Sequence, residues 1–183
     1  MKSTLHTPIH LFAETEPTQE TSSTRTIICP LLKPPQNPQA TAEFAMGWFW
    51  TPQRDFDTTR GILDTVVGYS GSYQPNPETS FPTYQNVQDF AETIRITYDP
   101  SELSYRDLME MFLGFHSPMS RNIVGSQYRS AVFVHTEEQR EIALQVLREK
   151  GAAVSRLVDV EDASAFYQAE EYHQKYLEKA MMY

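Results

Sequence analysis

The sequence predicts a mixed α/β (α+β) domain with a split βαβ, ferredoxin-like core. Three observations predict it. After residue 40 the hydrophobic pattern alternates between short runs of period two and longer runs of helical period. The runs follow in the order strand, helix, strand, then strand, helix, strand, which is the split βαβ arrangement. The chain has 183 residues, enough for one domain with a sizeable core.

Residues 1–40 differ from the rest. They hold six of the 12 prolines, ten Ser or Thr and no glycine, and show no periodicity. The expected organisation is a Thr/Pro-rich tail over 1–41, disordered or draped, ahead of a domain over 42–183. The tail carries Cys29, the only cysteine of the chain. It reads either as a small hydrophobe or as a nucleophile. Nothing adjacent would lower its pKa, which favours the first.

The elements follow in order. Residues 44–47 read as a strand and 49–60 as a helix, with Pro52 tolerated in its first turn and Gly61 as its stop. Residues 64–69 read as a second strand and 70–82 as a loop rich in Gly, Pro, Asn and Ser. Over 90–98 the pattern alternates, and Phe90, Glu92, Ile94, Ile96 and Tyr98 share one face. That face is apolar except for Glu92. A carboxylate there is costly unless paired, hydrogen-bonded or functional; the alternative is that Glu92 sits at the strand end and reaches water.

Ser104 to Asp107 has the form of a helix N-cap, and Tyr105, Leu108, Met109, Phe112 and His116 recur at helical spacing. Residues 119–126 read as a loop, 130–135 as a strand, and 136–150 as a helix stopped by Gly151. A fifth strand is expected over 154–160 and mostly helix over 165–181.

Charge and composition exclude several classes. There are 15 Lys plus Arg against 24 Asp plus Glu, a net charge of −9, all of it arising after residue 40. An acidic domain without a basic stripe repels phosphate backbones, so nucleic acid is not an expected partner. The sequence has no apolar run long enough to span a membrane and no signal-peptide pattern. His116, His135 and His173 share no ligand-like spacing, so neither a metal nor a cofactor is expected. A single cysteine suits a cytoplasmic setting. The oligomeric state is not legible.

The most specific stretch is Gly47-Trp48-Phe49-Trp50, three large aromatics after a glycine at a strand-to-helix junction. Taken alone it reads as core. Downstream stand Val67-Gly68-Tyr69-Ser70-Gly71, Pro82-Thr83-Tyr84, Ala91-Glu92, Tyr98-Asp99-Pro100, Ser104-Tyr105, His116-Ser117-Pro118, Gly125-Ser126-Gln127-Tyr128-Arg129-Ser130, Glu138-Gln139 and Ala169-Glu170-Glu171-Tyr172-His173-Gln174-Lys175-Tyr176. In this order the motifs resemble those of the peptide methionine sulfoxide reductase A family over nearly all of residues 42–178.

The resemblance implies a site. In that family a Gly-Cys-Phe-Trp motif supplies a thiolate that attacks the sulfoxide sulfur and becomes a sulfenic acid, recycled by further cysteines and thioredoxin. By this likeness Phe49 and Trp50 cup the substrate methyl, Tyr84 and Tyr128 hold the sulfoxide oxygen, and Glu92 donates the proton. The sequence also departs from the pattern. Trp48 stands where the cysteine is expected, Ile123 where an aspartate is expected, and Phe90 where a histidine is expected. The recycling cysteines near the C-terminus are absent.

Each departure places an apolar group near the site, and an indole cannot attack sulfur. The expectation from the sequence is therefore loss of sulfoxide reduction. What remains is a non-redox acid–base enzyme of isomerase, cyclase or dehydratase type. Glu92, Tyr84 and Tyr128 would act on a small apolar oxygenated molecule, as in specialised metabolism, in a pocket of Trp48, Phe49, Trp50, Phe90 and Ile123. The alternatives are a non-catalytic binding module and a reductase that uses Cys29. An open cavity beside Trp48 favours catalysis or ligand binding; an indole packed over Glu92 opposes it.

Overall fold

The computed structural model describes residues 39–71 and 81–182. Cys29, almost all of the expected tail and residues 72–80 of the expected loop lie outside the described residues.

Strand β1 (Ala40–Met46) pairs antiparallel with β3 (Ala91–Tyr98) on one side and with β4 (Ser130–Val134) on the other. Strand β2 (Ile62–Ser70) pairs antiparallel with the far edge of β3. The central order β4-β1-β3-β2 is that of the split βαβ core. Two strands extend it: β5 (Val158–Asp162) runs parallel to β4, and the short β6 (Tyr167–Gln168) lies antiparallel on β2. Gly68 permits the last pairing, because a Cβ there would stand 2.4 Å from the Tyr167 carbonyl oxygen.

Helices α1 (Trp50–Asp57), α2 (Tyr105–Phe115) and α4 (Glu137–Lys150) cover one face of the sheet. Phe56, Leu108, Phe112, Val146 and Leu147 meet Phe44, Ile94, Ile96 and Val132 in the main core. The Ser104 cap of α2 is a full capping box with Asp107, as its sequence predicts. Three short helices are also present among the described residues: α3 (Arg121–Val124), α5 (Ala152–Ser155) and α6 (Tyr176–Met181).

The differences from the sequence reading have local causes. Helix α1 stops at Asp57, where the Thr58 and Thr59 hydroxyls both donate to the Asp55 carbonyl and compete with the helical pattern. Helix α3 interrupts the expected loop over 119–126. The fifth strand begins only after α5. The segment over 165–181 is not one helix but strand, turn and short helix. The Gln174 side chain accepts from the Val67 amide at 3.0 Å and donates to the Val67 and Ala169 carbonyls at 2.9 Å each, holding the chain against β2. Lys175 then takes a left-handed backbone, φ 53°.

Register settles which face Glu92 occupies. Glu43 stands opposite Arg95 and Phe44 opposite Ile94, so Glu92, two residues from Ile94, shares the helix-covered face. It is 0 % exposed, and the reading in which it reaches water is overturned.

Candidate active site

The site forms where β1 ends. Gly47 turns the chain with φ +76°, a conformation that disfavours a side chain, and Phe49 caps the start of α1. The Phe49 amide donates to Glu92 Oε2 at 3.1 Å. Gln127 Nε2 donates to Glu92 Oε1 at 2.9 Å, and the Glu92 amide donates to the Gln127 carbonyl. The loop before β4 is thereby tied to the end of β3, which brings Tyr128 to the site.

Burial drives the Glu92 carboxyl up to about 7, against the lowering effect of the bonds from Gln127 and Phe49. Among the described residues no cation pairs with it. Glu43, equally buried on the opposite face, shows the contrast. It accepts from Arg95 at 2.7 Å and from Ser70 at 3.2 Å and has His135 at 3.3 Å. Burial pushes its carboxyl up, but these partners outweigh burial and hold it below the usual range. Of two buried carboxyls on adjacent strands, one is kept ionised and the other is poised to hold a proton.

An open cavity of about 400 Å³ is lined by Gly47, Trp48, Tyr84, Met119, Val124 and Tyr128; Glu92 lies behind this lining, close enough for its charge to act on the Tyr128 phenol. Tyr128 hydrogen-bonds with Tyr84; burial chiefly, with the nearby Glu92 charge, raises its phenol. Trp48 is 52 % exposed and rests on Trp50, ring centroids 4.5 Å apart. It forms a wall of the cavity and does not fill it.

The structure thus gathers Glu92, Tyr84, Tyr128, Trp48, Phe49 and Trp50 in one place. Phe49 is buried and contributes its amide to Glu92 and its ring to a second apolar cluster. Phe90 belongs to that same cluster, edge-on to Tyr167, and does not line the cavity. Ile123 is 69 % exposed on α3; its neighbour Val124 lines the cavity instead. Two further groups act here: His173, whose place in the sequence favours packing or hydrogen bonding over catalysis, and Glu170, which the sequence does not single out. His173 accepts the Trp50 indole N–H at 3.0 Å, and Glu170 accepts the Tyr84 amide at 3.1 Å. Their signal was their place in the matched stretch 169–176. Among the described residues no cluster of His, Cys, Asp or Glu is arranged to hold a metal.

Fold and site together define an α+β protein that carries a proton-holding carboxyl and two phenols beside an aromatic cavity. The peptide methionine sulfoxide reductase family profile matches residues 40–183, and the chain belongs to that family. It is 40% identical over 150 residues to the peptide methionine sulfoxide reductase MsrA of Methanothermobacter thermautotrophicus, covering 75% of this chain and 86% of that one. Against the MsrA of Pectobacterium atrosepticum it is 39% identical over 153 residues, covering 75% and 70%. Among solved structures it is similar to methionine sulfoxide reductase A of Corynebacterium diphtheriae, with TM-score 0.64, 26% identity, and 79% and 76% of the two chains covered. Reduced Mxr1 of Saccharomyces cerevisiae gives TM-score 0.66, 25% identity, and 79% and 87% covered.

These relatives overturn the expectation of a non-redox isomerase, cyclase or dehydratase, and with it that of a non-catalytic binding module. They are named reductases, and nothing in the comparisons points to a lost or non-redox activity. Trp48 does not close the site. The residue removes a thiol from the turn, but it leaves the cavity open and the proton-handling groups in place. No described helix is long and apolar enough to cross a membrane.

Proposed function

We propose that the chain reduces methionine sulfoxide in peptides, with Glu92 as the acid that delivers a proton to the sulfoxide oxygen. One observation carries this reading: a buried carboxyl with no cation partner among the described residues, drawn up to about 7, beside an aromatic cavity at the start of α1. A neutral carboxyl both donates to an oxygen and escapes the cost of a buried charge. Tyr84 and Tyr128 orient the same oxygen, and Trp48, backed by Trp50, takes the methyl group.

Reduction needs two electrons and two protons. One sulfoxide and two thiols give one sulfide, one disulfide and one water. The turn offers no thiol, so at least one thiol comes from a dithiol in solution, and Cys29 is the only one the chain contributes. Family membership and the names of the relatives support the reaction. The geometry supports the proton donor.

The test is incubation of the full chain with a methionine sulfoxide peptide and dithiothreitol, read by mass spectrometry as loss of one oxygen. Turnover above the reagent background is expected. Its loss in Cys29→Ser identifies Cys29 as the covalent thiol, and its survival assigns both thiols to the reagent. No turnover by the wild type with dithiothreitol or thioredoxin contradicts the reading.

A further inference from the structure

We propose that Glu170 and His173 are positioning residues for this site, setting Tyr84 and Trp50 in place from the C-terminal segment. The proposal rests on the sulfoxide-reducing reading above. It deepens that reading by assigning two residues that do not touch the cavity.

The turn over 169–175 is a rigid mount. At its start the Ala169 amide donates to the Val67 carbonyl of β2 at 3.0 Å. At its end the Lys175 amide donates to Gln53 Oε1 on α1 at 2.7 Å, and Gln53 Nε2 donates to the Thr65 carbonyl of β2 at 3.2 Å. With the three Gln174 bonds, the turn is fastened to β2 and to α1, the helix whose start forms part of the site.

Two side chains, three residues apart, reach out from this mount. Glu170 Oε1 accepts the backbone amide of Tyr84, and Oε2 accepts the Tyr69 hydroxyl at 3.0 Å. Burial raises the Glu170 carboxyl, but bonds from its own amide, the Tyr84 amide and Tyr69 outweigh it, so the group stays ionised. A charged acceptor makes the stronger bond to an amide. It holds the loop that carries Tyr84 at the one backbone point that precedes the phenol.

His173 is 1 % exposed and its ring packs 4.6 Å from the Tyr84 ring and 5.2 Å from Phe49. Its Nδ1 accepts the Trp50 indole N–H. An indole nitrogen only donates, so Nδ1 carries no proton and the neutral ring holds its hydrogen on Nε2. Among the described residues that buried Nε2 has no hydrogen-bond partner; the Glu170 Oε2 carboxylate oxygen stands 4.0 Å away. Keeping a buried donor unpaired is costly. The residue is held there by what its other nitrogen and its ring faces do: fix the indole of Trp50, which stacks on Tyr176 at 3.8 Å and lies tilted against Trp48 at 4.5 Å. Glu170 and His173 therefore set both aromatic sides of the cavity from one turn.

Two pairs of variants test this, each with a readout that does not need turnover. The chain holds two tryptophans, so a Trp48→Phe background leaves Trp50 as the only emitter. His173→Leu is expected to shift the Trp50 emission, and His173→Asn, whose Oδ1 lies near the place of Nδ1, to restore it. In Glu170→Ala the Tyr84 amide is expected to exchange deuterium at least tenfold faster. In Glu170→Gln, which keeps an acceptor, it is expected to stay within threefold of wild type. With the native Trp48, Glu170→Ala is expected to raise KM for the peptide fivefold or more with a smaller change in kcat, and Glu170→Gln to restore it. Should Glu170→Ala fail to fold, Tyr69→Phe removes only the Oε2 contact and is expected to raise KM at least twofold. Equal behaviour of Gln and Ala at 170, no emission change in His173→Leu, or an unchanged KM in Tyr69→Phe overturns the proposal. Absence of turnover in the wild type overturns the function instead, and leaves the emission and exchange results to decide the positioning.

Discussion

The Phe49 amide and the Glu92 carboxyl meet at 3.1 Å, a bond that joins the start of α1 to the buried end of β3. It fixes the carboxyl at the turn without supplying a full positive charge, so burial still governs protonation. Removing the acid while keeping the shape isolates its chemical role. Glu92→Gln is expected to lower sulfoxide reduction at pH 7 by about a hundredfold or more, the usual scale of general acid catalysis. The circular dichroism spectrum should be unchanged. A fall below threefold in a steady-state assay would take Glu92 out of the chemistry.

The same carboxyl makes stability depend on pH. Its folded pKa of about 7 lies above the ordinary 4.5, so the folded chain binds the proton more tightly than the unfolded one. The stabilisation from that proton is complete below the unfolded value and disappears as pH rises through about 7. The full difference is on the order of 3 kcal/mol. Urea unfolding at pH 5 and pH 8 should show wild type losing stability relative to Glu92→Gln over that interval. An identical gap at both pH values would mean that Glu92 is ionised throughout.

Glu43 gives the opposite expectation. Its carboxylate is buried and held ionised by the His135 hydrogen bond and by the charge and hydrogen bond of Arg95, with Ser70 also donating to it. Arg95→Met leaves that charge short of its main cation. Loss of one partner of a buried pair costs about 3 kcal/mol, and the half-exposed Arg95 places the effect at or below that figure. Thermal unfolding measures it. A variant as stable as wild type would show that His135 and Ser70 suffice.

Trp48 is half exposed and its ring rests on Trp50, so replacing it disturbs little of the core. Trp48→Cys places a thiol at the turn between Gly47 and Phe49, next to the residue that holds Glu92. With dithiothreitol it is expected to reduce the peptide at least tenfold faster than wild type and to form a sulfenic acid that a dimedone probe traps. A fold-competent variant with no gain would show that the turn does not face the sulfoxide.

Much of this was legible in the sequence, and particular residues show where legibility ends. Strict alternation over 90–98 placed Glu92 on the buried face because period two admits no other arrangement. Ser104 with Asp107 announced the start of α2 because a capping box is local chemistry. The segment 165–181 resisted because its helical composition is overridden by long-range bonds from Gln174 to β2. Glu43 was not singled out; its burial depends on Arg95 across the β1–β3 register and on His135, both distant in sequence. Phe90 and Ile123 were drawn into the site by their motif positions alone, whereas packing sent one to the core and the other to solvent. Function was the least legible of all. Trp48 is visible in the sequence, whereas the constellation of Glu92, Tyr84 and Tyr128 takes shape only in the fold.

The most direct measurement of the central claim is the ratio of wild-type to Glu92→Gln reduction rates from pH 6 to pH 9. Taking the ratio cancels the thiolate fraction of the reductant, which grows with pH in both proteins. With Glu92 as the proton donor, the ratio is expected to be flat below about 7 and to fall roughly tenfold per unit well above it. A ratio that stays constant across the range, or that rises with pH, would contradict it.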